Sequence, residues 1–190
     1  MLAFKIGISH MNIYLDSNVW NFLYANNVWL PDHFSESKYK FFITKELKFE
    51  IDPIPPEKSA LKDFISKSFK AAHVQVDSIF GFDNDNLPAS EQRVGGFDEG
   101  RFISDKEANF LDLLRHHLNG NKRKKSKLYS NEADISIAIR SIHSVVLTLD
   151  TKKGPLLEAK NHGGNVVFLN NFNREMHTLE EYILANIQKC

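Results

Sequence analysis

Val145-Val146-Leu147-Thr148-Leu149-Asp150 is an aliphatic run interrupted by one threonine and closed by an acid. A run this short, without polar alternation, reads as a strand buried on both faces of a parallel sheet. Just before it, Asn131 to Ile142 carries Ile137, Ala138 and Ile142 at helical spacing, with Ser130 as the expected N-cap. Downstream, Pro155 to Lys160 reads as a short helix and Val166 to Leu169 as a second buried strand. Thr178 and Glu181 form a capping box that opens a last helix through Ile187. Strands alternating with helices predict an α/β chain: a three-layer α/β/α sandwich around a central, mainly parallel sheet.

The N-terminal third repeats the theme. Asn12 to Asp16 is another short buried strand ending in an acid, followed by a helix over Val19 to Ala25 with Trp20, Leu23 and Tyr24 at helical spacing. Met11 opens this stretch, and the ten residues before it read as an extension. Phe41 to Ile43 is a third apolar segment. Thr44 is the expected N-cap of a helix over Lys45 to Ile51, which Pro53, Pro55 and Pro56 stop. Residues 59–80 then read as a helix with Leu61, Phe64, Ile65, Phe69 and Ala72 on one side. The Gly/Asp-rich stretch at 81–101 reads as a loop. Ser104 and Glu107 cap a further helix bearing Phe110, Leu111, Leu114 and Leu118, with Gly120 as its expected stop. The expectation is one domain over 1–190, carrying a helical and loop insertion at about 52–129.

Composition narrows the classes. The 190 residues include 15 phenylalanines, enough apolar material for a substantial core. No run is long enough to span a membrane, and the first ten residues are too mixed for a signal peptide. The single cysteine, Cys190, excludes an intrachain disulfide framework and a Cys-rich zinc site. A reducing, cytoplasmic setting is expected. The 24 basic and 24 acidic residues cancel, so an overall basic nucleic-acid coat is absent. The basic residues are nevertheless clustered: Lys122, Arg123, Lys124, Lys125 and Lys127 fall in NKRKKSK, a run read either as a solvated loop or as a phosphate-holding segment.

Asp16 and Asp150 each follow a predicted parallel strand, and function in such sheets gathers beyond the carboxyl ends. Asp134 lies in the first turn of its helix, where the helix dipole favours a negative charge with or without a ligand. Glu46 and Glu50 share a helix face four residues apart and repel each other unless something positive compensates. A divalent cation would do so. Magnesium and manganese take oxygen ligands and can stabilise both the attacking and the leaving oxygen of a phosphodiester. Each acid also has a structural reading: Asp16 as a helix cap, Asp150 in an Asx turn, and Glu46, Glu50 and Glu132 as surface charges. None of the eight histidines shows a zinc-like spacing; His116 and His117 are adjacent and cannot share a helix face.

Taken in order, four segments resemble the motifs of the PIN-domain nucleases. NIYLDSNVW is similar to the family's opening strand with its aspartate, here Asp16 followed by Ser17 and Asn18. ITKELKFEI is similar to the second element, with Thr44 and the helical Glu50. EADISIAIRS matches the third, with Asp134, and VVLTLD the fourth, with Thr148 and Asp150. The closing NVVFLNNFNREMHTLEEYI is similar to the family's last strand and capped helix. The resemblance covers about residues 11–51 and 130–187.

It implies a PIN-like fold and a Mg2+- or Mn2+-dependent endoribonuclease. Asp16, Glu50, Asp134 and Asp150 would be catalytic, the three aspartates would hold metal, and no covalent intermediate would form. Ser17, Asn18, Thr148, Glu46 and Glu132 would support the site. Many such nucleases are toxins of toxin–antitoxin pairs, so RNA is the implied substrate, with an antitoxin protein and a second copy of the chain as candidate partners. The long separation of Glu50 and Asp134 departs from the compact toxins, and Glu46 and Glu132 rival Glu50 and Asp134. Two other readings compete. A haloacid-dehalogenase-type phosphatase with Asp16 as nucleophile needs an acid at position 18, which is Asn18. A non-catalytic RNA-binding or scaffold module would keep the fold without needing the acids.

Overall fold

In the computed structural model, residues 10–85, 87–122 and 127–187 are described, with the side chains of 119–122 excepted. Five parallel strands form the central sheet: β1 (Met11–Leu15), β2 (Tyr39–Thr44), β3 (Gln75–Asp77), β6 (Val145–Thr148) and β7 (Val166–Phe168), in the order β3-β2-β1-β6-β7. The register pairs Ile13 with Phe41 on one side and with Val145 on the other. All four residues of β6 are buried, as its unbroken aliphatic character requires. A separate two-stranded hairpin, β4 (Asn119–Lys122) with β5 (Tyr129–Ser130), is antiparallel.

The helices are α1 (Ser17–Ala25), α2 (Leu30–His33), α3 (Lys45–Ile51), α4 (Ser59–Ala71), α5 (Asp105–Leu114), α6 (Glu132–Arg140), α7 (Pro155–Asn161) and α8 (Leu179–Asn186). From β1 the chain steps to β2 in one direction, and from β6 to β7 in the other. Right-handed crossovers therefore put α1 and α7 on opposite faces. Helices α1, α2 and α4 pack together as one layer, and α5, α6 and α7 as the other. The three-layer α/β/α sandwich expected from the sequence is the observed architecture. Its core is continuous from Trp20 and Leu23 on α1, through Ile13, Leu15 and Ile43 in the sheet, to Ile137 and Ile139 on α6.

Three predicted boundaries change. The helix over 59–80 ends at Ala71; His73 takes a left-handed φ of 47°, and Gln75–Asp77 becomes edge strand β3 against β2. Much of the 52–129 stretch is thereby built into the layers: α4 packs on α1, β3 extends the sheet and α5 contacts α6. Helix α5 stops at Leu114 rather than before Gly120, passing into one 3-10 turn over Arg115–His117. Ser130 lies in β5 and does not cap α6; Asn131 takes that place in a left-handed conformation, φ 63°. The caps at Thr44, Ser104 and Thr178 form as predicted, the last two as complete capping boxes.

The 81–101 loop folds back on itself through bridges of Ile79 to Arg101 and Phe80 to Gly95. A side chain at Gly100 would lie 2.5 Å from the Phe80 Cα, so the close approach requires glycine there.

Candidate active site

The strand order reverses direction between β1 and β6, the place where open parallel sheets open a crevice beyond their carboxyl ends. Asp16 leaves β1 at this point and donates its amide to Leu147 O at 3.0 Å. Its side chain is 2 % exposed, yet three neutral donors orient it. Oδ1 accepts from Ser17 N at 2.6 Å. Oδ2 accepts from the Thr148 hydroxyl at 2.6 Å and from Asn18 Nδ2 at 2.7 Å. Both lone pairs of Oδ2 are thus taken, whereas Oδ1 keeps one, on the side of the Ser17 hydroxyl.

That hydroxyl donates to Glu50 Oε2 at 2.9 Å and lies 3.5 Å from Asp16 Oδ1, linking the two acids. Burial pushes the Asp16 carboxyl up to about 6. The Thr148 and Ser17 hydrogen bonds pull it down, and the charge of Glu50 raises it again. The Thr148 hydroxyl also accepts from Asp150 N at 2.9 Å, which ties the fourth acid to the first through one oxygen. Asn18 bridges α1 to the end of β6 by accepting from Leu149 N at 2.9 Å. Asp150 is half-buried and accepts from Lys152 N at 3.0 Å, so the Asx turn expected as its structural reading does form.

The remaining predicted residues reach the site to different degrees. Helix α3 starts at the end of β2, and α6 leads into β6 and runs antiparallel to it. The first turns of both therefore lie on the carboxyl rim, Asp134 half-buried among them. Glu46 and Glu50 point to different partners: Glu46 Oε2 accepts from Ser136 Oγ of α6 at 2.6 Å, while Glu50 meets Ser17. Glu132 is held by Arg93 Nε at 2.7 Å and by Tyr129 N at 2.7 Å. Arg93, from the 81–101 loop, carried no sequence signal. Of the basic run, Lys127 pairs with Glu91 at 3.0 Å. Arg123, Lys124 and Lys125 lie outside the described residues, as does the side chain of Lys122.

Two of the cavities that border α3 are lined by predicted site residues. One, of about 410 Å3, is lined by Ser17, Asn18, Asn21, Glu50, Pro53 and Lys58 among others. The other, of about 430 Å3, includes Glu46, Glu132, Ser136 and Arg115. The donor set of the Asp16 centre is all oxygen, and its buried carboxylate faces a second negative charge. Carboxylate oxygens would suit a hard divalent cation such as magnesium or manganese, and Asp16 and Glu50 are the two acids that Ser17 brings together.

No family model matches the chain, and no curated protein matches its sequence. Among solved structures, the chain is similar to VapBC2 from Rickettsia felis bound to a DNA fragment from its promoter. The identity is 13 %, the TM-score 0.41, and the alignment covers 83 % of this chain and 97 % of that one. A domain of a functionally unknown protein from Methanocaldococcus jannaschii DSM 2661 aligns at 12 % identity and TM-score 0.36, covering 88 % and 96 %. Among the described residues, no helix is long and apolar enough to cross a membrane.

Proposed function

We propose that the chain is a PIN-like, Mg2+- or Mn2+-dependent endoribonuclease whose site is built on Asp16, Glu50, Asp134 and Asp150. The observation that carries this reading is the Asp16 centre: a buried carboxylate at the switch point of a parallel sheet, held by neutral donors and set against Glu50. Asp16 is also the N-cap of α1, accepting from Ser17 N, so its structural reading as a helix cap holds beside this one. A divalent cation bound there would polarise the scissile phosphate and activate water.

The chain's own residues then have separable tasks. Thr148 and Asn18 fix the Asp16 carboxylate through Oδ2, and Ser17 links Glu50 to its Oδ1. Asp150 and Asp134 extend the acidic rim on which the phosphodiester would lie. Glu46 is committed to joining α3 to α6, so Glu50 is the glutamate of the site in this reading. The Lys122–Lys127 run would neutralise substrate phosphates, and a toxin role with an antitoxin partner follows from the motif resemblance.

The test is manganese titration beside a single-stranded RNA cleavage assay. Chelator should abolish cleavage, and Asp16→Asn, Asp134→Asn and Asp150→Asn should each reduce it at least about 100-fold. Glu50→Gln should cost more activity than Glu46→Gln. Replacing Lys122, Arg123, Lys124 and Lys125 by Ala should weaken RNA binding and flatten its salt dependence. Cleavage that survives chelator, or the Asp16→Asn change, would sink the assignment. RNA binding without cleavage under any of these conditions would favour a non-catalytic RNA-binding module.

A further inference from the structure

A second constellation of possible metal ligands uses residues other than the four acids and is built from different elements. The 3-10 turn that ends α5 places the rings of His116 and His117 with centroids 4.1 Å apart, although the two residues are adjacent in sequence. Neither helix type aligns adjacent side chains, so the approach of the two rings at the end of this turn corrects the expectation drawn from helical spacing. From α7, Glu158 Oε2 reaches both: it lies 2.6 Å from His117 Nε2 and 3.4 Å from His116 Nε2. One donor atom from each of the three residues lies within 4.8 Å of the other two.

A second observation points to a ligand. His116 Nδ1 lies 2.9 Å from Leu113 O, and a carbonyl only accepts, so Nδ1 carries the proton. Nε2 then faces the Glu158 carboxylate at 3.4 Å, where either a second ring proton or a shared metal ion would supply the positive charge between them. A backbone carbonyl on the distal ring nitrogen is also the usual way in which a metal-ligating histidine is oriented.

The frame is rigid on both sides. The carbonyl of His117 accepts from Asn131 Nδ2 at 3.0 Å, which pins the turn to the start of α6. Glu158 sits on a helix anchored by buried Leu156 and Ala159. His117 and Glu158 are partly buried, with side chains 17 % and 24 % exposed. Zinc bonds to imidazole and carboxylate place tetrahedral ligand atoms roughly 3.3 Å apart. The His116 to Glu158 separation already meets that value, and the His117 to Glu158 pair needs to open by less than about 1 Å.

We infer that His116, His117 and Glu158 form a transition-metal site, taking Zn2+ or a similar borderline ion with water in the fourth position. Imidazole donors select such ions over magnesium, so this site and the acidic rim would take different metals. Bound metal joins α7 to the turn that leads into the β4–β5 hairpin, and so clamps the base of the segment that carries the basic run.

The experiment uses the full, tag-free chain stripped of metal, with ZnCl2 as the probe in calorimetry and thermal melting, and Co2+ absorption as the readout of nitrogen ligation. One zinc should bind with micromolar or tighter affinity and raise Tm. His116→Ala, His117→Gln and Glu158→Gln should each lower that affinity at least tenfold, whereas Asp16→Asn should leave it unchanged. His116 is largely exposed, so its variant tests the site even if a change at His117 impairs folding. Absence of zinc binding, or affinity unmoved by His116→Ala, or loss only in Asp16→Asn, would overturn the inference. None of those results bears on manganese-dependent cleavage at the rim.

Discussion

Two carboxylate clusters sit on the carboxyl rim of the same sheet, one strand apart, and they are built on opposite electrostatic plans. At the end of β3, the half-buried Asp77 accepts from Arg140 Nε at 2.8 Å and from Arg101 Nε at 3.1 Å. Arg101 also holds Glu107 through two further bonds, of 2.9 and 2.5 Å. Two arginines answer two acids. Beyond β1, Asp16 is as buried as Arg140 but is met by hydroxyl and amide donors and by the charge of Glu50. The proton affinities diverge accordingly. Burial alone would raise Glu107, but hydrogen bonds and charge from Arg101, with help from Ser104, hold it down to about 2. Asp16 is pushed up to about 6. The first cluster is balanced by its arginines, whereas the Asp16 carboxylate is held by neutral donors and binds its proton more readily.

The largest expected effect comes from unbalancing the first cluster. Arg140→Met removes a guanidinium that is 2 % exposed and leaves the partly exposed Arg101 as the remaining arginine on Asp77, beside its hydrogen bond with Tyr14. It also removes a bond to Ser136 O at 2.9 Å. Breaking a buried pair from one side costs about 3–5 kcal/mol, and the remaining arginine puts this case at about 3 kcal/mol. Urea denaturation at neutral pH measures it. A loss below about 1 kcal/mol would mean that the network is not what joins β3 to α6.

The second cluster should respond with the opposite sign. The Asp16 carboxyl binds its proton more readily in the folded state, raised from 3.8 to about 6. Its contribution is therefore fully present below the unfolded value and is lost as pH rises through about 6. The gap amounts to about 3 kcal/mol. Asp16→Asn removes that slope but supplies only one acceptor oxygen where the carboxylate has two. A net stabilisation of about 1 kcal/mol is expected for the metal-free protein at pH 8, shrinking to a net loss below pH 4. Paired urea melts of the two proteins across this range would show it. A constant difference between them would place the folded-state affinity of Asp16 at its ordinary value.

How far this contrast was legible in the sequence depends on the range of the interactions. Strands closed by acids, at Asp16 and Asp150, could be read because aliphatic content and a terminal acid are local signals. The same holds for the caps at Thr44, Ser104 and Thr178. Strand β3 was hidden: its three residues are half-polar and edge-exposed, and the helix periodicity before it masked the left-handed break at His73. Distinguishing Glu50 from Glu46 required partners remote in sequence, Ser17 and Ser136, which no spacing rule supplies. The arginine network was invisible for the same reason, as was the histidine pair, whose rings meet only through their side-chain conformations and Glu158 of a distant helix.

The smallest effect tests whether the balanced cluster reaches into a helix cap. Ser104 and Thr178 form the same capping box, yet only Ser104 belongs to the network: its hydroxyl lies 3.1 Å from Glu107 Oε2 and 2.9 Å from His143 Nε2. The partner of Thr178, Glu181, is exposed. Losing an N-cap hydroxyl typically costs about 1 kcal/mol, so Thr178→Ala should show that and little dependence on pH beyond it. Ser104→Ala should cost somewhat more, about 1.5 kcal/mol, because it also removes a donor that lowers the Glu107 affinity. The sign of the pH effect follows from that lowering. Glu107 contributes stability that is present above its unfolded value of 4.5 and is lost as pH falls toward about 2. With Ser104 removed the folded-state value moves up, less stability remains to be lost on acidification, and the difference between Ser104→Ala and wild type should narrow between pH 5 and 2. Thr178→Ala is the control, since Glu181 is lowered by the cap and by the charge of His177, with no arginine involved, and its charge is screened by solvent. Equal costs and parallel acid limbs for the two variants would show that the arginines alone set the Glu107 affinity and that the cap at Ser104 is an ordinary one.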